Sequence, residues 1–191
     1  GEFSGSISYA LENLSDLSDE EFSKVISLDN NGFLTVNRPK PSNEDEYKSL
    51  APVKGKITAV LQYGNLPEYT LTRDFTVNKS NVFENYTYGT EYSGIFDGNP
   101  ETFMTFESGA EITVNFDSPK AFGGFYIDGE NTEIYYLDLD ANKLVSFDKT
   151  PVKTDKLVFK ISGENTVVRD IAAFCTDYYD ELLSDENILK N

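Results

Sequence analysis

The sequence predicts a mainly β protein, an antiparallel β-sandwich with a short helix at either end. Three observations carry this. Between Asn78 and Phe174 strand-like runs recur at short intervals with turn residues between them, the rhythm of a sandwich or barrel. Val, Ile, Thr, Tyr and Phe fill those runs, the residue types that suit a pleated, half-buried surface. Several runs alternate apolar and polar residues, most cleanly Glu111-Ile112-Thr113-Val114-Asn115-Phe116, as a strand with one wet face requires.

The elements follow in order. Residues 7 to about 30 carry a helical signal. Within it Ser18-Asp19-Glu20-Glu21 is a capping box, in which Ser18 accepts from a first-turn N–H and Glu21 reaches back. Phe22, Val25, Ile26 and Leu28 then share a face, and Asn30-Asn31-Gly32 ends the segment as a turn. Phe33–Val36 is a short strand. Arg38–Ser49, with two prolines and several charges, reads as a solvated loop. Lys56–Tyr63 and Tyr69–Val77 are strands, separated by the Gly64, Asn65 and Pro67 breakers.

After the Glu111–Phe116 strand, Asp117-Ser118-Pro119-Lys120 reads as a turn, and Phe125-Tyr126-Ile127 resumes a strand beyond Gly123-Gly124. Glu133–Leu139 and Leu144–Phe147 form a hairpin about Asp140-Ala141-Asn142-Lys143. Lys156–Ile161 and Val167–Phe174 complete the series. Val114, Ile127 and Phe159 are expected on inner faces. The acidic tail 176–191, with Tyr179, Leu182 and Leu183 at helical spacing, is expected to be a short helix.

Composition bounds the function. The chain has 191 residues and a formal net charge of -17. That charge repels nucleic acid and anionic lipid, so neither is an expected partner. No stretch approaches the roughly 20 apolar residues of a membrane span. The start, Gly1–Ser6, reads as a cloning scar, so the lack of a visible signal peptide says nothing about export. Cys175 is the one cysteine; it has no partner for an internal disulfide and is expected to be a buried thiol. The chain has no histidine, which excludes Ser-His and Cys-His nucleophile pairs and zinc sites built on His. No phosphate-cradling glycine loop is present. No catalytic residues are assigned, and no enzyme is expected.

Four segments share one resemblance. Ile95-Phe96-Asp97-Gly98-Asn99-Pro100-Glu101-Thr102, Glu111–Phe116, Ala121–Ile127 and Val168–Phe174 resemble, in order and spacing, the loop and strands of the discoidin family. That family is also known as the coagulation-factor C-type domain and has a galactose-binding-like jelly-roll. The resemblance covers about residues 76–175. It departs at Met104, where the family usually carries Trp. Residues 7–75 form an N-terminal extension of unknown type. The division expected is therefore 1–6, 7–75, 76–175 and 176–191.

The resemblance implies a structural Ca²⁺ held by Asp97, Asn99, Thr102 and Asp170, since Ca²⁺ takes six to eight oxygens. Read without it, the same loop is an Asx turn with Gly98 at positive φ. A ligand rim is expected at Tyr88, Glu91 and Tyr92, where aromatic faces and a carboxylate suit a sugar; tyrosines at alternate positions also suit a half-buried strand. The C-terminal segment Asp177–Asp185 offers Tyr178, Tyr179, Leu182 and Leu183 either as a docking face or as a seam against its own sandwich. The function expected is a non-catalytic module that recognises a surface glycan, as part of an exported, cell-surface or virion protein. The alternative is an assembly domain that binds other protein chains. A reduced cytosol also suits the single cysteine.

Overall fold

The computed structural model describes residues 5–85 and 92–175. The Tyr88 and Glu91 of the expected rim, and the C-terminal segment, lie outside them. The chain divides into two compact units, one drawn from Gly1–Pro39 and Ala51–Asn78, the other from Lys40–Leu50 and Lys79–Asn191.

In the first unit, β1 (Gly5–Asn13), β4 (Val53–Tyr63) and β5 (Tyr69–Val77) form an antiparallel sheet in the order β1-β4-β5. The helical signal from residue 7 therefore resolves differently before Ser18. Ile7, Tyr9 and Leu11 repeat with period two and pair with Leu61, Ala59 and Ile57. This pairing puts one apolar face on the sheet. The other face is polar, as in the row Glu12, Lys56, Asp74, where Lys56 Nζ and Glu12 Oε2 are 2.5 Å apart.

The capping box forms as expected: Glu21 N donates to Ser18 Oγ at 3.3 Å and Ser18 N to Glu21 Oε2 at 3.0 Å. It starts α1 (Asp19–Val25), which buries Phe22 and Val25 against Ile26, Val53, Leu11 and Phe75. A hairpin of β2 (Ile26–Leu28) and β3 (Leu34–Val36) follows, turned by Asp29 Oδ1, which accepts from the N–H groups of Asn31 and Phe33.

The second unit is an antiparallel β-sandwich. It contains β6 (Met104–Phe106), β7 (Ala110–Gly129), β8 (Thr132–Asp138), β9 (Lys143–Ser146), β10 (Val152–Ile161) and β11 (Thr166–Cys175). Their order is β6-β11-β7-β10-β8-β9. The long β7 joins two arms: its first part pairs with β10 and its last part with β11.

The expected turn at Asp117–Lys120 is a break in register within β7. Asn115 pairs with Lys156 and Lys120 with Thr154, so four residues of β7 stand opposite Asp155. Pro119, with no N–H to donate, fits a place where the register is broken.

Both arms face one core. Rows such as Ile134, Phe159, Ile112 and Tyr136, Leu157, Val114 cross β8, β10 and β7. Phe159 and Val114 are buried in this core, and half-buried Ile127 packs against the same core from the other arm. The 3-10 turn Val82–Asn85 and the short helix α3 (Ser93–Phe96) close this core with Phe83 and Phe96, whose rings lie edge to face at 5.1 Å. Cys175 is buried at the end of β11.

One segment departs from its expected loop. Glu44–Ser49 is a helix, α2, capped by Asn43 and fixed to the second unit by Tyr47. Tyr47 is fully buried on the outer face of the β7–β11 arm with Ala172, Phe174 and Tyr126.

Candidate functional site

Arg169 marks a bulge in β11, where the register shifts between Val168 and Asp170. An extra residue reverses the alternation. Val168 and Ile171 therefore both reach the inner core, while Asp170 meets Tyr47 from α2. The Tyr47 hydroxyl donates to Asp170 Oδ2 at 2.7 Å. Lys79 Nζ lies 3.1 Å from the same oxygen and 3.8 Å from the centre of the Tyr47 ring. Asp170 and Lys79 are 0% and 6% exposed. Asp170 Oδ1 is buried and has no hydrogen-bond partner among the described residues. Burial pushes the Asp170 carboxyl above the ordinary carboxylate value, the Tyr47 and Lys79 hydrogen bonds pull it back, and the Asp97 charge adds to the push. Burial, then the Asp170 carboxylate, drives the Tyr47 phenol far above its ordinary value.

Of the four residues expected to hold an ion, three lie together. Asp97 Oδ1 accepts from Asn99 N at 2.9 Å and from Thr102 Oγ1 at 3.0 Å. Thr102 N donates to the Asn99 carbonyl at 3.2 Å, and that carbonyl, 2.7 Å from Oγ1, is the alternative acceptor for the one hydroxyl proton. Asp97 is near enough for its charge to act on Asp170, but the bonded oxygen of Asp170 is shared by Tyr47 and Lys79. Of the expected rim, Tyr92 is half-buried and packs on the core, its ring stacked at 6.4 Å on Phe106.

The sequence reading missed a cleft in the second unit of about 650 Å³, within the size range of small-molecule sites. Its floor is Phe125, Ile127, Ile134, Phe147 and Phe174; its rim carries Ser42, Asn43, Glu44, Thr132, Glu133 and Lys149. The Phe147 ring stands edge-on to Phe125 at 4.8 Å, nearly perpendicular at 84°. The Phe147 N–H donates to the Ile134 carbonyl at 2.9 Å, which extends the pairing of β8 just past β9.

The approach to α2 forms the opposite wall. Glu46 N donates to Asn43 Oδ1 at 2.9 Å, and Ser42 N donates to Glu46 Oε2 at 2.7 Å. Local sequence signals this cap (Asn43 with Glu46 three residues on). Nothing local brings it to Phe147, about a hundred residues away.

The cap predicts a pH dependence. The Ser42 N–H, with its hydroxyl, holds the Glu46 carboxyl below the ordinary value of 4.5. A lowered carboxyl stabilises the fold above its unfolded value and loses that contribution as pH falls through the folded one. Glu46→Gln should therefore melt below the parent at about pH 7, and the gap should close as pH is taken below 4.5. Thermal melts across that range read it; a gap independent of pH would count against the cap.

The chain matches no protein-family model and no curated protein. One similar solved structure is a pectin-binding carbohydrate-binding module, 17% identical, with a TM-score of 0.35 over 46% of this chain and 84% of that one.

Proposed function

We propose that the second unit is a non-catalytic binding module whose site is this cleft, and that its ligand is an uncharged sugar of an exported, cell-surface or virion setting. The observation that carries this is the pairing of an aromatic and aliphatic floor, centred on Phe147 and Phe125, with a rim of hydroxyl, amide and charged groups. Sugars present just these two surfaces: apolar C–H faces that stack on rings, and hydroxyls that need donors and acceptors. The net charge of -17 favours a neutral ligand over an acidic polymer. Glu44 is engaged by Lys48 and Glu133 accepts from the Tyr135 hydroxyl. Both therefore serve here as fixed acceptors for ligand hydroxyls.

A glycan array, followed by calorimetric titration with the sugars that respond, tests the proposal. Phe147→Ala should weaken binding about tenfold or more, roughly 1.4 kcal/mol, because the ring joins the floor without belonging to the main core. Flat responses across a broad neutral panel would sink the sugar reading.

One observation favours the alternative, an assembly role. On the first unit's sheet Ile7, Tyr69 and Leu71 share a face and are 51%, 61% and 58% exposed, a cluster that suits contact with another protein chain. Light scattering over a concentration series tests it: a strict monomer, unchanged by Leu71→Glu, would remove that reading.

A further inference from the structure

An acidic residue at the closing strand of a sandwich, close to an Asp-Gly-Asn loop, is where a bound divalent cation is expected by resemblance. The residues present do not suit one. Ca²⁺ requires six to eight oxygens. The Asn99 carbonyl already accepts from the Thr102 N–H, Asp97 Oδ1 accepts from the Asn99 N–H, the one Thr102 hydroxyl proton goes either to that carbonyl or to Asp97, and Asp170 Oδ2 accepts from Tyr47 and Lys79. That leaves Asp97 Oδ2, itself 3.1 Å from Thr102 Oγ1, and the orphan Asp170 Oδ1. Among the described residues no three acidic, histidine or cysteine side chains converge on a metal position. A divalent ion would also meet the Lys79 ammonium, which stands 3.1 Å from Asp170.

We propose that the Lys79 ammonium is itself the structural cation of the second unit, a covalently tethered charge in the role a metal ion would fill. Three contacts fit it for this. It neutralises the buried Asp170 carboxylate at 3.1 Å. It lies over the face of Tyr47 at 3.8 Å and is 5.5 Å from the Tyr126 ring, where the ring quadrupoles replace part of its lost hydration. Its own backbone is locked to the Asp97 loop, for Lys79 N donates to the Gly98 carbonyl at 3.1 Å. One residue thus ties the loop, β11 and α2 together, its backbone holding the loop and its side chain holding β11 and α2. A tethered cation carries no concentration dependence: where a bound ion stabilises only as far as its free concentration allows, Lys79 is always in place.

The test is thermal unfolding of the full chain. After dialysis against chelator, addition of CaCl₂ or MgCl₂ should leave the melting temperature within about 1 °C. A rise of several degrees, abolished by Asp97→Ala, would overturn the proposal in favour of a metal. Lys79→Met should lower the melting temperature by about 10 °C, since a buried charge loses its partner. The double variant Lys79→Met with Asp170→Asn should recover most of that loss, because the stranded charge is gone. A double variant as unstable as the two single losses summed would show that Lys79 acts only by packing, and overturn the proposal. If Lys79→Met does not fold, recovery of a folded double variant supports the proposal, and an unfolded one overturns it.

Discussion

Replacing Tyr47 by alanine is expected to remove about 4 kcal/mol or more from the stability of the second unit. Two losses combine. Tyr47 is 0% exposed, and its ring touches Tyr126 at 5.2 Å and Phe174 at 6.0 Å. Truncating a buried aromatic costs about 3–5 kcal/mol when the site cannot collapse. Among the described residues the hydroxyl is the one donor besides Lys79 to a buried carboxylate, and stranding such an acceptor costs roughly a further 1–3 kcal/mol. The two are not strictly additive, since α2 would leave its seat and admit water to Asp170.

Tyr47→Phe separates them. It keeps the ring and should lose only the hydroxyl's share. Denaturant unfolding followed by circular dichroism measures both variants. Tyr47→Ala should also weaken any ligand of the cleft, because Ser42, Asn43 and Glu44 on its wall are placed by the same helix. An alanine variant within about 1 kcal/mol of the parent would mean that α2 is not held by this side chain.

How far the sequence foretells this arrangement depends on the range of each signal. Local, periodic signals translate directly. The alternation of Glu111–Phe116 becomes the first part of β7, with Ile112, Val114 and Phe116 all buried, because the pleat itself has period two. The capping box at Ser18 and Glu21 is legible for the same reason: donor and acceptor are three residues apart.

What escapes the sequence is set by distant partners. β1 is a strand because β4, some fifty residues on, pairs with it. The segment Glu44–Ser49 has a single large apolar side chain and many charges, so it reads as solvated loop until the outer face of β11 receives Tyr47. Asp170 was legible as an acidic residue in the closing strand, but not as the partner of Lys79, which lies in the connection after β5. The cleft is assembled from Phe125, Phe147 and the Asn43 cap, three segments with no mutual periodicity. The Asp97 loop falls between these cases. Its Asx-turn bonds are local and readable, whereas the counter-charge beside it is not.

That loop carries the second large effect. Gly98→Ala is expected to cost about 3 kcal/mol or more, from two sources. Gly98 has φ of +69°, a left-handed conformation that costs a residue with a Cβ about 1–2 kcal/mol. The added Cβ would also lie 2.2 Å from the Lys79 carbonyl oxygen and 3.0 Å from its carbon. Both are backbone atoms, so no side chain can rotate aside, and the loop and Lys79 must part.

Parting them breaks the Lys79 N–H bond to the Gly98 carbonyl and draws the ammonium away from Asp170 and the Tyr47 face. Gly109 supplies the control. Its φ of +87° is equally left-handed, but a Cβ there meets nothing within 4 Å. Gly109→Ala should therefore show the conformational cost alone, and the excess loss in Gly98→Ala measures the clasp between loop and lysine. Equal losses in the two variants would mean that the loop yields freely, and that nothing rigid joins Asp97 to the buried charge.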